Sequence, residues 1–184
     1  MKSRQLFFTL ILIQFASFAK AQDTGLNPTT DDFCTSINKV MQYSFDNFAS
    51  IKEAEQKTKI GFYSEYFWMS KYQLAGFSEN VIKLTITNKG YFSATYFRDA
   101  DLLKALAKYN ELIEMVKACV PKTCCDFSES VSKDMDDIKR FEFWTGQAKT
   151  GSDKRFEKAF ISVNYLVETA SRQAVVFLCV APKE

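Results

Sequence analysis

The sequence predicts an α+β fold, an antiparallel sheet with two main helices packed on one face, in the order α-β-β-β-α-β-β-β. Three observations point there. Two stretches, near 31–51 and 101–120, space apolar residues three and four apart behind aspartates that can cap a helix. Each is followed by runs of period two, rich in aromatic and β-branched residues. Asn88-Lys89-Gly90 joins two such runs closely enough for a hairpin.

Ahead of these elements, Met1-Lys2-Ser3-Arg4, an apolar run from Leu6 to Phe18 and Ala19-Lys20-Ala21 read as a secretory signal peptide cleaved after Ala21. The apolar run is shorter than the roughly 20 residues of a spanning helix, so no transmembrane anchor is expected. Residues 1–21 are thus assigned to export and 22–184 to a single α+β domain that is secreted or periplasmic. Removing Lys2, Arg4 and Lys20 leaves 21 basic against 22 acidic residues, so the whole-chain charge of +2 belongs to the leader. Without a basic stripe or patch, nucleic-acid binding is excluded.

The first helix is expected from a cap at Thr30, Asp31 or Asp32 to about Ile51, with Phe33, Ile37, Val40, Met41 and Phe48 on its apolar stripe. From Lys59 to Met69 large residues fall on both parities, giving an aromatic strand. Ile82, Leu84 and Ile86 alternate with Lys83, Thr85 and Thr87, and Tyr91 to Phe97 forms the return strand. Gly90 supplies the positive φ that a short hairpin with a bulge needs. The second helix starts at Asp99 or Asp101 and ends at Pro121. Leu102, Leu106, Tyr109, Ile113, Val116 and Val120 make its stripe, widened by Leu103. Residues 124–139 carry five acids and permit either a short helix or a mobile loop. Strands return at Phe141 to Gly146, at Ala159 to Val167, and at Gln173 to Val180, the last apolar enough for a central strand.

The halves 31–98 and 99–182 repeat one element order, each with a tryptophan-bearing strand, which suggests an internal duplication. The doubled α-β-β-β order resembles that of secretion chaperones; no motif is shared, so the resemblance implies nothing about activity.

Five cysteines, Cys34, Cys119, Cys124, Cys125 and Cys179, all follow the leader, where disulfides persist. Antiparallel helices would bring Cys34 to Cys119, leaving Cys179 for Cys124 or Cys125. The adjacent pair Cys124-Cys125 could alternatively serve as a thiol-redox switch in a stress protein. Histidine is absent, which removes Ser-His and Cys-His nucleophiles and imidazole metal sites. The acids between Asp126 and Asp137 lack calcium-loop spacing, and no phosphate-binding or nucleophile-elbow motif occurs, so no metal, cofactor or catalytic residue is assigned. Tyr63, Phe67, Trp68 and Trp144 are the candidate binding surface for a protein, peptide or small-molecule ligand. The expected function is non-catalytic binding; a hydrolase using Glu65 and Glu142 is the alternative from another class.

Overall fold

The computed structural model describes residues 30–59, 65–84, 89–119 and 125–182; residues 1–21, Tyr63, Cys124 and residues 85–88 lie outside them. Helix α1 spans Thr30–Tyr43 and is followed by two single turns of 3-10 helix, Ser44–Asp46 and Ala49–Ile51. Strands β1 (Lys52–Lys59), β2 (Glu65–Ser70), β3 (Ser78–Leu84) and β4 (Gly90–Asp99) complete the first half. Helix α2 (Leu102–Cys119) opens the second, with β5 (Cys125–Asp134), β6 (Ile138–Ala148), a short 3-10 turn (Lys154–Lys158), β7 (Ala159–Val167) and β8 (Ala174–Pro182).

All eight strands form one antiparallel sheet in the order β1-β2-β3-β4-β8-β7-β6-β5. Each half is a four-strand meander, and the meanders meet at β4 and β8. The α+β class and the antiparallel sheet agree with the expectation. The strand count does not: each half has four strands after its helix, not three.

Both unexpected strands lie at sheet edges. β1 reads KEAEQKTK and β5 CDFSESVSKD, and nearly all of their described side chains are exposed. An edge strand with an uncovered face needs no apolar alternation, and charge on it discourages pairing with other chains. Residues 125–134 are therefore strand, neither helix nor loop. Bulges at Lys52/Gln56, Cys125/Phe127 and Val131/Lys133 interrupt both edge pairings, another brake on edge-to-edge association.

Helix α1 stops at Tyr43, eight residues short of the predicted end. Asn47 and Phe48 both take left-handed backbone angles, φ 58° and 60°, and the Phe48 N–H returns to the Tyr43 carbonyl at 2.8 Å, closing the helix end. Phe48 and Ile51 still reach the core, which is why the apolar spacing read as one longer helix. Gly90 serves a different purpose from the one expected. Its φ is not positive; its N–H donates to Asn47 Oδ1 at 2.5 Å, and a Cβ there would lie 2.7 Å from the Asn47 carbonyl oxygen. Gly90→Ala is expected to cost about 1–3 kcal/mol, the range for overpacking. At Gly146 the nearest atom would be 3.4 Å away, so Gly146→Ala should cost less. Urea midpoints of the two variants check the order.

Asp101 caps α2, its Oδ1 accepting from the Leu103 and Lys104 N–H groups at 3.0 Å each. The buried face of α2 is Ala105, Tyr109, Leu112, Ile113, Val116 and Cys119; Tyr109, Ile113 and Val116 of the predicted stripe are on it and Leu106 packs against it, whereas Leu102 and Leu103 are 44% and 81% exposed. Both helices pack on one side of the sheet, over Ile82, Phe92, Phe143, Ile161, Val163, Leu178 and Val180. Cys34 and Cys119 are joined in a disulfide with Cα atoms 5.0 Å apart, tying the start of α1 to the end of α2.

Candidate functional site

Alternation fixes what the other side of the sheet displays. On β7, Ala159, Ile161, Val163 and Tyr165 enter the helix-side core, so Phe160, Ser162 and Asn164 face away. Their cross-strand partners share that face. One row runs Met69, Val81, Ser93, Cys179, Ser162, Glu142, Ser130 across seven strands. A parallel row runs Ser78, Thr95, Phe177, Asn164, Arg140, Lys133. On the other flank Ser128, Trp144, Phe160 and Ala181 are neighbours. Among the described residues no helix covers this face. Even so, Ser93, Thr95, Ser162, Asn164 and Glu142 are at most 9% exposed.

The densest chemistry is on β6 and β7. Arg140, Glu142 and Trp144 alternate along β6 and so project together. Glu142 holds both neighbours: Oε2 accepts from the Trp144 indole N–H at 3.0 Å, and Oε1 lies 2.9 Å from Arg140 Nε. The Arg140 N–H is not aligned on that oxygen and has no other acceptor, so the contact is an ion pair and not a hydrogen bond. The guanidinium carbon sits 5.7 Å from the Phe160 ring centre, and Phe160 stacks on Trp144 with centroids 4.9 Å apart and planes 20° from parallel. Asn164 Nδ2 donates to Ser162 Oγ at 3.0 Å. On β2 and β3 the same face carries Phe67, Met69 and Val81, with Lys83 opposite Phe67, so the first half has a charge there but no counterpart of the Arg140–Glu142–Trp144 group.

The candidate surface of the sequence is therefore split. Phe67 and Trp144 share the helix-free face. Trp68 pairs with Ile82, on the other side, packs against the core and lies under Lys52 Nζ at 4.2 Å; Tyr63 is outside the described residues. The two tryptophans looked equivalent because their strands align to within one residue, and one residue reverses the face. Arg140, Phe160, Ser162 and Asn164 were missed. The signal available was the Arg140-x-Glu142-x-Trp144 alternation, which places a charged pair and an aromatic on one side.

Glu65 and Glu142 are not brought together. They stand on β2 and β6, five strand positions apart, about 24 Å at the usual spacing of roughly 4.8 Å. Paired glycosidase carboxylates are roughly 5–9.5 Å apart, so this pair does not form such a site. Among the described residues no group of three or more acids and cysteines is placed to hold a metal ion.

Cys179 does not pair with Cys125, one of its two expected partners; the other, Cys124, lies outside the described residues. Cys179 lies on β8 between Ser93 and Ser162, whereas Cys125 opens β5, three strand positions away and buried opposite Ala148, beyond disulfide reach. Burial pushes the Cys179 thiol up, outweighing hydrogen bonds with Ser93 and Ser162 and the charges of Arg140 and Lys83. The neutral thiol is a poor nucleophile. Iodoacetamide at pH 8 should leave Cys179 unmodified in the folded protein and alkylate it in urea, read by peptide mass mapping. Rapid alkylation of the native thiol would refute this placement.

No protein-family model, curated protein or solved structure shows significant similarity to the chain.

Proposed function

We propose that this is an exported, non-catalytic binding protein whose ligand lies on the helix-free sheet face. The observation that carries the proposal is the cluster of Arg140, Glu142, Trp144 and Phe160, held together on a face without a covering helix among the described residues. Polar and charged side chains placed beside half-buried aromatics suit recognition, and the fold gains little from them that apolar residues would not supply. Export is supported by the signal-like residues 1–21 and by the Cys34–Cys119 disulfide, a bond that persists in oxidising compartments. No helix among the described residues is long and apolar enough to cross a membrane. The two halves, each a helix followed by a four-strand meander, are further proposed to be products of one duplication, with the binding cluster elaborated in the second.

Backbone amide NMR during titration with a panel of short peptides and oligosaccharides tests the binding face. Shifts should concentrate on β4, β8, β7 and β6, and Trp144→Ala should weaken the best ligand by roughly tenfold or more, as for a central aromatic contact. Shifts confined to the outer surfaces of α1 and α2, or unchanged affinity in Trp144→Ala, would remove the helix-free face as the site.

A further inference from the structure

Within that binding face, and resting on its assignment, we infer a subsite for a neutral oligosaccharide where β6 meets the edge strand β5. Three features converge on it. The first is an aromatic wall. Phe160, on the β7 side, covers one face of the Trp144 indole in near-parallel stacking, so the other face is turned toward β5, where its cross-strand neighbour is Ser128. Serine is too small to cover an indole, and both Ser128 and Ser130 are exposed. The indole thus stands as a wall above a low hydroxyl-bearing shelf at the sheet margin. The apolar C–H face of a pyranose ring fits such a wall.

The second feature is the polar lining. Ser130 lies directly opposite Glu142, and Lys133 opposite Arg140, so along the shelf an exposed hydroxyl and a one-third exposed arginine side chain flank a glutamate side chain that is itself only 10% exposed. Glu142 Oε1 and Oε2 each retain acceptor capacity beyond their present partners, and the terminal Nη groups of Arg140 have no partner among the described residues. Donors and acceptors so interleaved match vicinal hydroxyls, each of which both donates and accepts.

The third feature is charge. Glu142 is already matched by Arg140, and the Trp144 N–H is spent on the same carboxylate. A cationic ligand at the wall would compete with Arg140, and an anionic one would be drawn to the exposed Lys133 at the far end of the shelf, away from the indole. A neutral polyhydroxyl ligand leaves the pair intact. The position at a sheet margin also leaves both ends of the shelf open, which suits a chain longer than one sugar.

The experiment uses the indole N–H resonance of Trp144 in the full exported chain, assigned by its loss in Trp144→Phe. Cellotetraose and chitotriose are titrated as neutral probes, hyaluronan tetrasaccharide as an anionic one, and an aromatic tetrapeptide as a peptide probe. The expected result is a saturable shift with at least one neutral oligosaccharide, at least fivefold weaker binding in Ser130→Val, and weaker binding of the anionic probe. Ser130 is exposed on an edge strand, so its replacement leaves the fold intact. A shift with the peptide alone overturns the oligosaccharide subsite and preserves the binding face. Silence of this resonance toward every probe, with no shifts elsewhere on β4 to β8, overturns both.

Discussion

Replacing Cys34 and Cys119 together by alanine is expected to lower the unfolding free energy by about 4–5 kcal/mol. The bridge spans 85 residues of sequence, and in the loop-entropy model closing a loop of that length restrains the unfolded chain by about this amount. Total stabilities of natural domains are roughly 5–15 kcal/mol, so the loss is a large fraction of the whole. The location explains why the bond matters. It joins the start of α1 to the end of α2, and each helix covers the sheet with side chains belonging to a single shared core. Without it the halves are held by the β4–β8 pairing and by helix packing alone. The thermal midpoint should fall by about 10 °C or more, at the roughly 2–4 °C per kcal/mol typical of chains this size. Cys179→Ala is the control, since Cys179 carries no disulfide and lies outside that core. Unchanged midpoints in the double variant, or equal losses in the control, would refute the stapling role.

The fold was legible in the sequence wherever burial imposed a pattern. β7, with Ala159, Ile161, Val163 and Tyr165 inward, and β8, apolar nearly throughout, announce themselves because they sit beside the sheet centre. Helix α2 was legible from an aspartate cap at Asp99 or Asp101 and from Tyr109, Ile113 and Val116, which are buried as expected, but the first turn was misjudged. Leu102 and Leu103 are apolar without being buried, and Ala105, small and easily overlooked, is fully buried where the helix meets the sheet. The edges β1 and β5 carried little signal because, apart from Cys125 and Phe127 on β5 and Lys52 on β1, their described side chains are exposed. Exposed positions are free to take lysine, glutamate and serine, the residues that also mark loops and helix surfaces. The end of α1 was hidden for another reason. Asn47 is a familiar left-handed residue, whereas Phe48 is not, and its φ of 60° is set by tertiary packing that buries the ring.

The proposed binding cluster lies between these extremes. Its tryptophan was among the residues singled out, but its face was not determined, because strand parity is known only once register is known. Residues 140, 142 and 144 alternate visibly, yet alternation alone gives two equivalent assignments: charged cluster out and Phe141, Phe143 in, or the reverse. Phe143, fully buried on the helix side, settles it. The thiol followed the same logic. Cys179 is one residue from Leu178 and Val180 in the core, and that single step places it opposite Ser162 on the other face, out of reach of Cys125 at the start of β5.

The division of labour between the two faces leads to the second large effect. Phe92→Ala is expected to cost about 3–5 kcal/mol, the usual loss for truncating a buried phenylalanine. Phe92 has no exposed surface, lies opposite Ile82 on β3 and Val180 on β8, and meets the Phe48 ring at 6.4 Å, so it sits where the first-half sheet, the central pairing and the α1–β1 connection converge. No side chain can close the resulting gap without moving a strand. Phe177→Ala removes the same atoms from the helix-free face, where the ring is half-buried between Thr95 and Asn164, and should cost only about 1 kcal/mol, in proportion to the smaller apolar area it keeps from water. Urea denaturation of both variants measures the difference. A face kept for a ligand must tolerate truncation of its large side chains in the free protein, because Trp144, Phe160 and Phe177 are only half-buried there. If Phe177→Ala destabilises as much as Phe92→Ala, the helix-free face is a second core, and the placement of a ligand there fails with it.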